Sequence, residues 1–342
     1  MECNPQRRYA ILCFSPQTAA MVVLSNPTLH QIPLVKPPKL AASSGGSISV
    51  VDLSKPRAAA SAAIIEACED SGFFKVVNHG IPLELLCRLE AEAAAFFARP
   101  PADKESALGP ADPFGYGHQT IGRNGDVGWV EYLLFAVSST TTVPISSLGE
   151  YLVAVKRLAG EILELVAEGL RMKQRDRLSK MVTEEESDGI FRLNHYPPCP
   201  LLLEGFDGGG LTGFGEHTDP QIMSVLRSDG AAGLQVAGKD GSWVAVPPDR
   251  RAFFVNVGDA MQVLTNGRFK SIKHRVVVTD TERSRLSMIY FFGPAEETRI
   301  TAMAEVMVDG EERRYNEFTW REYKKAAYKT RLGDDRLRQF EK

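Results

Sequence analysis

The side chains best suited to chemistry lie in the second half of the chain. His217-Thr218-Asp219 places an imidazole and a carboxylate at i and i+2, and His274 follows far downstream. In a strand, residues two apart point the same way, so His217 and Asp219 can share a face, and a third ligand must come from another strand. Two histidines and one carboxylate on one side of an ion leave the other side open. That is the facial triad of non-haem Fe(II) oxygenases, whose open positions accept dioxygen and a chelating cosubstrate. With one carboxylate ligand, Fe(II) keeps a net charge of about +1, which suits a dianionic cosubstrate. An H-x-D alone arises by chance in many chains, and the same ligand types also suit zinc.

Further polar pairs repeat the i, i+2 spacing. Arg285-Leu286-Ser287 is the first. A four-residue loop at 279–282 predicts a hairpin that sets Ser287 opposite His274 and Arg285 opposite Val276. A guanidinium and a hydroxyl would then face the metal. A buried Arg needs an anionic partner, and a carboxylate bound bidentately is the natural one. An internal Glu partner is the plainer alternative. Asn194 and Tyr196 form the second pair, an amide and a phenol that can face the same ligand. His195 between them points outward and reads as structural, and Pro197-Pro198 ends the strand.

Positioning such a set requires a β framework. From residue 190 onward, short β runs alternate with turn signals at 191–196, 222–226, 233–236, 242–246, 252–257, 271–279 and 286–292. Lys239-Asp240-Gly241 and Asn266-Gly267 read as hairpin turns. Many short strands at this spacing predict a jelly-roll barrel or sandwich. Before it the pattern is mainly helical. Helices are expected over 58–70, from Pro82 to about Pro100, and as one long amphipathic stretch over 150–181, with short strands at 48–53 and 73–78. Residues 103–126, rich in Gly and Pro, read as a loop region. The expected organisation is an extension or disordered segment over 1–46, a helical N-terminal region over 47–182, a β core over 183–300 and a charged helical segment over 301–342. That last segment could cap the barrel, cover the site or meet another subunit.

The 342 residues carry a net charge of −3 and are 44% hydrophobic, a globular balance that argues against nucleic acid or an anionic membrane as a bulk partner. No apolar stretch is long enough for a membrane span. The five cysteines, Cys3, Cys13, Cys68, Cys87 and Cys199, form no C-x-x-C pair and read as free thiols. The basic pair Arg7-Arg8 and the short apolar run at 9–14 make a poor secretory signal. A cytoplasmic location, with the nucleus also open, is expected. Oligomeric state is left open.

Taken together, Val77-Asn78-His79-Gly80-Ile81, Asn194-His195-Tyr196-Pro197-Pro198-Cys199, His217-Thr218-Asp219, His274-Arg275-Val276 and Arg285-Leu286-Ser287 resemble the plant soluble 2-oxoglutarate- and Fe(II)-dependent dioxygenases. The resemblance spans roughly residues 48–330. It implies a double-stranded β-helix flanked by N-terminal helices and a C-terminal helix. It also implies that His217, Asp219 and His274 bind iron. Arg285 and Ser287 would hold the distal carboxylate of 2-oxoglutarate, with Tyr196 assisting and Asn194 nearby. Dioxygen is then the second cosubstrate, with ascorbate in support.

A narrower likeness lies in Phe114-Gly115-Tyr116-Gly117, in the run 121–134 around Trp129 and Tyr132, and in 211–221. These resemble gibberellin 2-oxidases, in particular the group acting on nineteen-carbon gibberellins. The implied reaction is 2β-hydroxylation, which inactivates the hormone and its precursors while 2-oxoglutarate is decarboxylated to succinate. The family pattern begins near Met21, so Met1 and Met21 are alternative starts. Tyr116, Trp129 and Tyr132 are candidate substrate contacts, because each joins an apolar face to a hydrogen-bonding tip. Another hormone or flavonoid hydroxylase, and a non-catalytic jelly-roll binding protein, are the rival readings.

Overall fold

Short strands with alternating apolar residues bury themselves by stacking sheets face to face, and helices then cover an outer face. The computed structural model has this arrangement; it describes residues 31–35, 48–109, 111, 113–121, 124–137, 143–184, 186–200 and 209–342. In chain order the first half holds β1 (Leu34–Val35), β2 (Ser49–Asp52), α1 (Arg57–Asp70), β3 (Phe73–Val77), α2 (Leu83–Phe97), α3 (Pro101–Leu108), β4 (Gly115–Ile121), β5 (Asp126–Ala136), α4 (Leu148–Gly169) and α5 (Arg177–Thr183). The second half begins with β6 (Asp188–Tyr196), β7 (Gly210–His217), β8 (Met223–Ser228), β9 (Leu234–Ala237), β10 (Trp243–Ala245) and β11 (Phe253–Val257). It continues through α6 (Asp259–Leu264), β12 (His274–Val278), β13 (Arg285–Gly293), β14 (Arg299–Ile300), β15 (Phe318–Thr319) and α7 (Trp320–Ala327).

One sheet runs β1-β7-β12-β9-β10, and a larger one runs β2-β3-β11-β8-β13-β6-β5-β4. All pairings are antiparallel except β2 with β3. Alternation along β13 decides what faces where. Leu286, Met288, Tyr290 and Phe292 join the cluster made with the helices, whereas Ile289 joins the cluster between the sheets. On β6, Phe191 and Leu193 face the helices and Tyr196 faces the interior. The helical layer follows its own period: Tyr151, Val155, Leu158, Ile162 and Leu165 of α4 are buried in one stripe. Pro82 and Pro100 stand just before α2 and α3, where a missing N–H costs nothing. At α7, Thr319 and Glu322 cap reciprocally: the Glu322 N–H donates to Thr319 Oγ1 and the Thr319 N–H donates to Glu322 Oε2.

Several expectations need correction. The long helix is two, α4 and α5, parted where Arg171 takes φ 57° and the chain turns. The expected loop at 103–126 contains most of α3 and all of β4, so Tyr116 stands in a strand. Gly117, a residue type that locally signals a turn, lies inside β4. It is needed in β4 because a Cβ there would lie 2.4 Å from Tyr132 Cζ on β5. The N-terminal region supplies the expected strands as β2 and β3, and beyond expectation β4 and β5, to the larger sheet. Asn266-Gly267 follows α6 instead of joining strands, with both residues at positive φ. Lys239-Asp240-Gly241 does join β9 to β10. The hairpin expected at 279–282 does not form, because β12 pairs with β7 and β9 in one sheet while β13 pairs with β6 and β8 in the other. That connection is a crossover between sheets. Within 1–46, Leu34 and Val35 pair with β7, and Ile32 is buried. Met21, Arg7, Arg8, Cys3, Cys13 and the Ser-Gly run at 43–46 lie outside the described residues.

Candidate metal centre and substrate cavity

Antiparallel pairing of β7 with β12 sets His217 directly opposite His274. Their rings lie 4.2 Å apart between centroids. Asp219 sits past the end of β7, in the connection to β8, so it reaches the pair from irregular backbone and not from the strand position its spacing suggests. Asp219 Oδ1 lies 3.7 Å from His217 Nε2 and 3.6 Å from His274 Nε2. The three ligand atoms are all within 4.8 Å of one another, a spacing that one ion can bridge.

The surroundings prepare each ligand. His217 Nδ1–H donates to the Gly215 carbonyl at 2.8 Å, which leaves the Nε2 lone pair for a metal. Burial, and then the neighbouring His274, push the His217 pKa well below its ordinary value, so the ring is neutral as ligation requires. Asp219 Oδ2 accepts from Ser224 Oγ at 2.6 Å and Asn256 Nδ2 at 3.3 Å, which leaves Oδ1 free. Asp259 braces the intervening residue: it accepts from Thr218 Oγ1 at 3.1 Å and from Tyr323 OH at 2.7 Å.

Arg285 faces Tyr196 across β13 and β6, and Ser287 faces Asn194 one rung further along the same face. Arg285 is buried, and its Nε and Nη1 have no protein partner. A buried guanidinium with open donors calls for an external anion. The register and the missing donors' partners therefore fit the carboxylate of 2-oxoglutarate. Ser287, Tyr196 and Asn194 line a cavity that also contains the His-Asp-His group, whereas Arg285 is not among its lining residues.

That cavity has a volume of about 710 Å³. Its walls include Leu134, Ile190, Phe214, Leu226, Val276 and Phe291. The C-terminal segment closes one side with Lys324, Tyr328, Leu332 and Arg336, so it covers the site. Asn124 Nδ2 fastens this segment by donating to the carbonyls of Tyr328 and Thr330, at 2.9 and 2.6 Å.

Of the aromatic candidates, Tyr116 and Tyr132 line the cavity. Their tips are already engaged: Tyr116 OH donates to Glu131 at 2.6 Å, and Tyr132 OH donates to the Thr120 carbonyl at 3.1 Å. One face of the Tyr132 ring is covered by the Arg192 guanidinium, whose carbon lies 3.9 Å from the ring centre. Trp129 is not a lining residue; its indole N–H donates to the carbonyls of Pro197 and Pro198. It locks the end of β6, which corrects its assignment as a substrate contact. His195 does face away from the cavity and donates to Glu131 Oε1 at 2.7 Å. Sequence reasoning missed Arg192, Lys324 and Arg336. For Arg192 a signal existed, because the alternation marking Asn194 and Tyr196 extends back to it.

Comparison with known proteins agrees with this geometry. Residues 187–294 match the 2OG-Fe(II) oxygenase superfamily, and residues 48–149 match the N-terminal region described as that of a non-haem dioxygenase in morphine synthesis. A gibberellin 2-beta-dioxygenase of Phaseolus coccineus is 54% identical over 335 residues, covering 94% of this chain and 99% of the relative. Gibberellin 2-beta-dioxygenase 1 of Pisum sativum is 48% identical, with 94% and 99% covered. Among solved structures, JOX2 in complex with 2OG, Fe and JA superposes with a TM-score of 0.76 at 28% identity, covering 90% of this chain and 93% of that one. The rice dioxygenase for auxin oxidation shares the fold, with a TM-score of 0.71 over 86% of this chain and 100% of that one. The chain belongs to the gibberellin 2-beta-dioxygenase family of Fe(II)- and 2-oxoglutarate-dependent oxygenases.

Proposed function

We propose that this chain hydroxylates gibberellins at carbon 2 on the β face and thereby inactivates them, coupled to decarboxylation of 2-oxoglutarate to succinate and carbon dioxide. The observation that carries the reading is the near full-length match to gibberellin 2-beta-dioxygenases, joined to a His217-Asp219-His274 group in the wall of a large, mainly apolar cavity. Bound Fe(II) with 2-oxoglutarate and dioxygen supplies the oxidising chemistry.

The residues of the chain do the rest. His217, Asp219 and His274 would hold the ion at the cavity wall. Arg285 and Ser287 fix the far carboxylate of 2-oxoglutarate, with Tyr196 and Asn194 beside them. Tyr116, Tyr132 and the aliphatic walls grip a rigid polycycle by its faces and keep water away from the reacting carbon. Hydrogen abstraction needs no protein base, and none is assigned. The free thiols of Cys68, Cys87 and Cys199 support a cytoplasmic location. Among the described residues no helix is long and apolar enough to cross a membrane.

The test is product identification by mass spectrometry after incubation with a panel of gibberellins and flavonoids. A 2β-hydroxylated gibberellin with stoichiometric succinate is expected. Turnover of flavonoids alone would favour the rival hydroxylase reading, and no succinate with any compound would favour the binding-protein reading.

A further inference from the structure

Arg192 is a buried cation with no counter-ion among the described residues. It lies on β6, on the face shared by Asn194 and Tyr196, and it lines the cavity. Its Nε donates to Asn194 Oδ1 at 2.7 Å, while its Nη2 is buried with no partner. Among the described residues no carboxylate forms an ion pair with it. Instead it is wedged between aromatic faces, its guanidinium carbon 3.9 Å from the Tyr132 ring centroid and 4.8 Å from that of Phe214. Such contacts hold a guanidinium in place but do not neutralise it. A buried charge left unpaired is expensive, so a site that keeps one is built for an anion that arrives from outside.

Two other cations line the cavity. Lys324 Nζ is paired with Asp188 Oδ1 at 2.9 Å. Arg336 Nη1 donates to the Thr218 carbonyl at 2.7 Å while its Nε is buried without a partner, but Arg336 lies on the C-terminal segment and not on the sheet face. Arg285 belongs to a different position on the same sheet face. It pairs in register with Tyr196, whereas Arg192 pairs with Ile289, four residues along the strand and roughly 13 Å away. Arg192 instead approaches the metal group through Phe214, whose ring lies 4.6 Å from that of His217. The sheet face therefore presents two guanidiniums at well-separated places, and the cosubstrate accounts for only one.

We infer that Arg192 binds the carboxylate of the polycyclic substrate and so determines that the enzyme accepts an acid and how that acid lies against the metal. The inference rests on the reading that the substrate is a gibberellin, an apolar polycycle bearing a carboxylate. Tyr132 and Phe214 keep the fork flat, and Asn194 fixes its roll through Nε. The free edge is left to accept two carboxylate oxygens side by side.

The experiment compares wild type, R192M and R192K on a gibberellin, its methyl ester, and other polycyclic monocarboxylic acids with their esters. Anaerobic equilibrium binding is measured beside turnover. Wild type should prefer acid to ester, and R192M should raise KM and the dissociation constant for the acid by roughly 100-fold while binding the ester as wild type does. R192K should recover only part of the loss, because a point charge lacks the fork. An unchanged KM for 2-oxoglutarate and an unchanged melting temperature would show that R192M is folded with its cosubstrate site intact. An equal acid-to-ester ratio in wild type and R192M overturns the inference, whatever the substrate. Selective loss of acid binding on another polycyclic acid, with no gibberellin bound or turned over by the wild type, would uphold the inference and remove the gibberellin reading instead.

Discussion

Arg285 and Tyr196 stand opposite each other on β13 and β6, with the guanidinium carbon 5.3 Å from the centre of the phenol ring. The ring bounds the cavity while the guanidinium keeps buried, unpartnered donors beside it. Truncating this fork should act on the cosubstrate and little else. Arg285→Gln is expected to raise the KM for 2-oxoglutarate by about 100-fold. The KM for the hydroxylated substrate should change far less. Succinate release titrated against each compound in turn checks this.

The metal group predicts an all-or-none response. His217→Ala removes one of three ligand atoms that converge within 4.8 Å. Succinate release should be abolished, and anaerobic addition of Fe(II) and 2-oxoglutarate should no longer give the charge-transfer band expected of the wild type. Full turnover in this variant would refute the ligand assignment.

Glu131 makes the fold sensitive to acid. It accepts from Lys104 Nζ at 2.5 Å, Tyr116 OH at 2.6 Å and His195 Nδ1 at 2.7 Å. Burial alone would raise its pKa, but these hydrogen bonds and the charge of His195 outweigh burial and hold the carboxyl below its ordinary value. In the unfolded chain the group protonates at the ordinary value, so the unfolded state takes up its proton first. Its contribution to stability is therefore present above the usual carboxylate range and is lost as pH falls through it towards the folded value. Melting temperatures measured from about pH 6 down to about pH 3 should drop more steeply for wild type than for Glu131→Gln.

Gly128 marks a crowded junction between the two sheets. A Cβ there would fall 2.2 Å from the Gly213 carbonyl oxygen, a backbone atom that has no rotamer to escape into. Gly128→Ala should cost about 2 kcal/mol or more, read as a lower urea midpoint with an unchanged m-value. Gly149→Ala, where nothing lies within reach of the added carbon, is the matched control.

Much of the site was legible because it obeys short-range rules. His217, Asp219 and His274 were marked by residue type, and Asn194, Tyr196, Arg285 and Ser287 by the two-residue period of a strand. What escaped was non-local. The crossover between β12 and β13 looks like a hairpin in sequence, since loop length says nothing about which sheet receives the next strand. β4 and β7 were hidden by glycines, which locally signal turns. Here they relieve contacts with Tyr132 and Tyr196 from other strands. Trp129 carried the right chemistry for a ligand contact, and only the fold shows its indole turned towards Pro197 and Pro198. Arg192 was readable by period, but only the fold shows that no carboxylate among the described residues pairs with it.

The two residues of β1 have a disproportionate effect. By pairing with Leu211 and Gly210 they occupy the outer edge of β7, the strand that carries His217. Without them that strand would offer free amides and carbonyls to any passing chain, an invitation to intermolecular association. Versions beginning at Met1 or at Met21 both include Leu34 and Val35 and so keep this seal. Trimming beyond Val35 would strip it away, leaving the iron-bearing strand open to self-association.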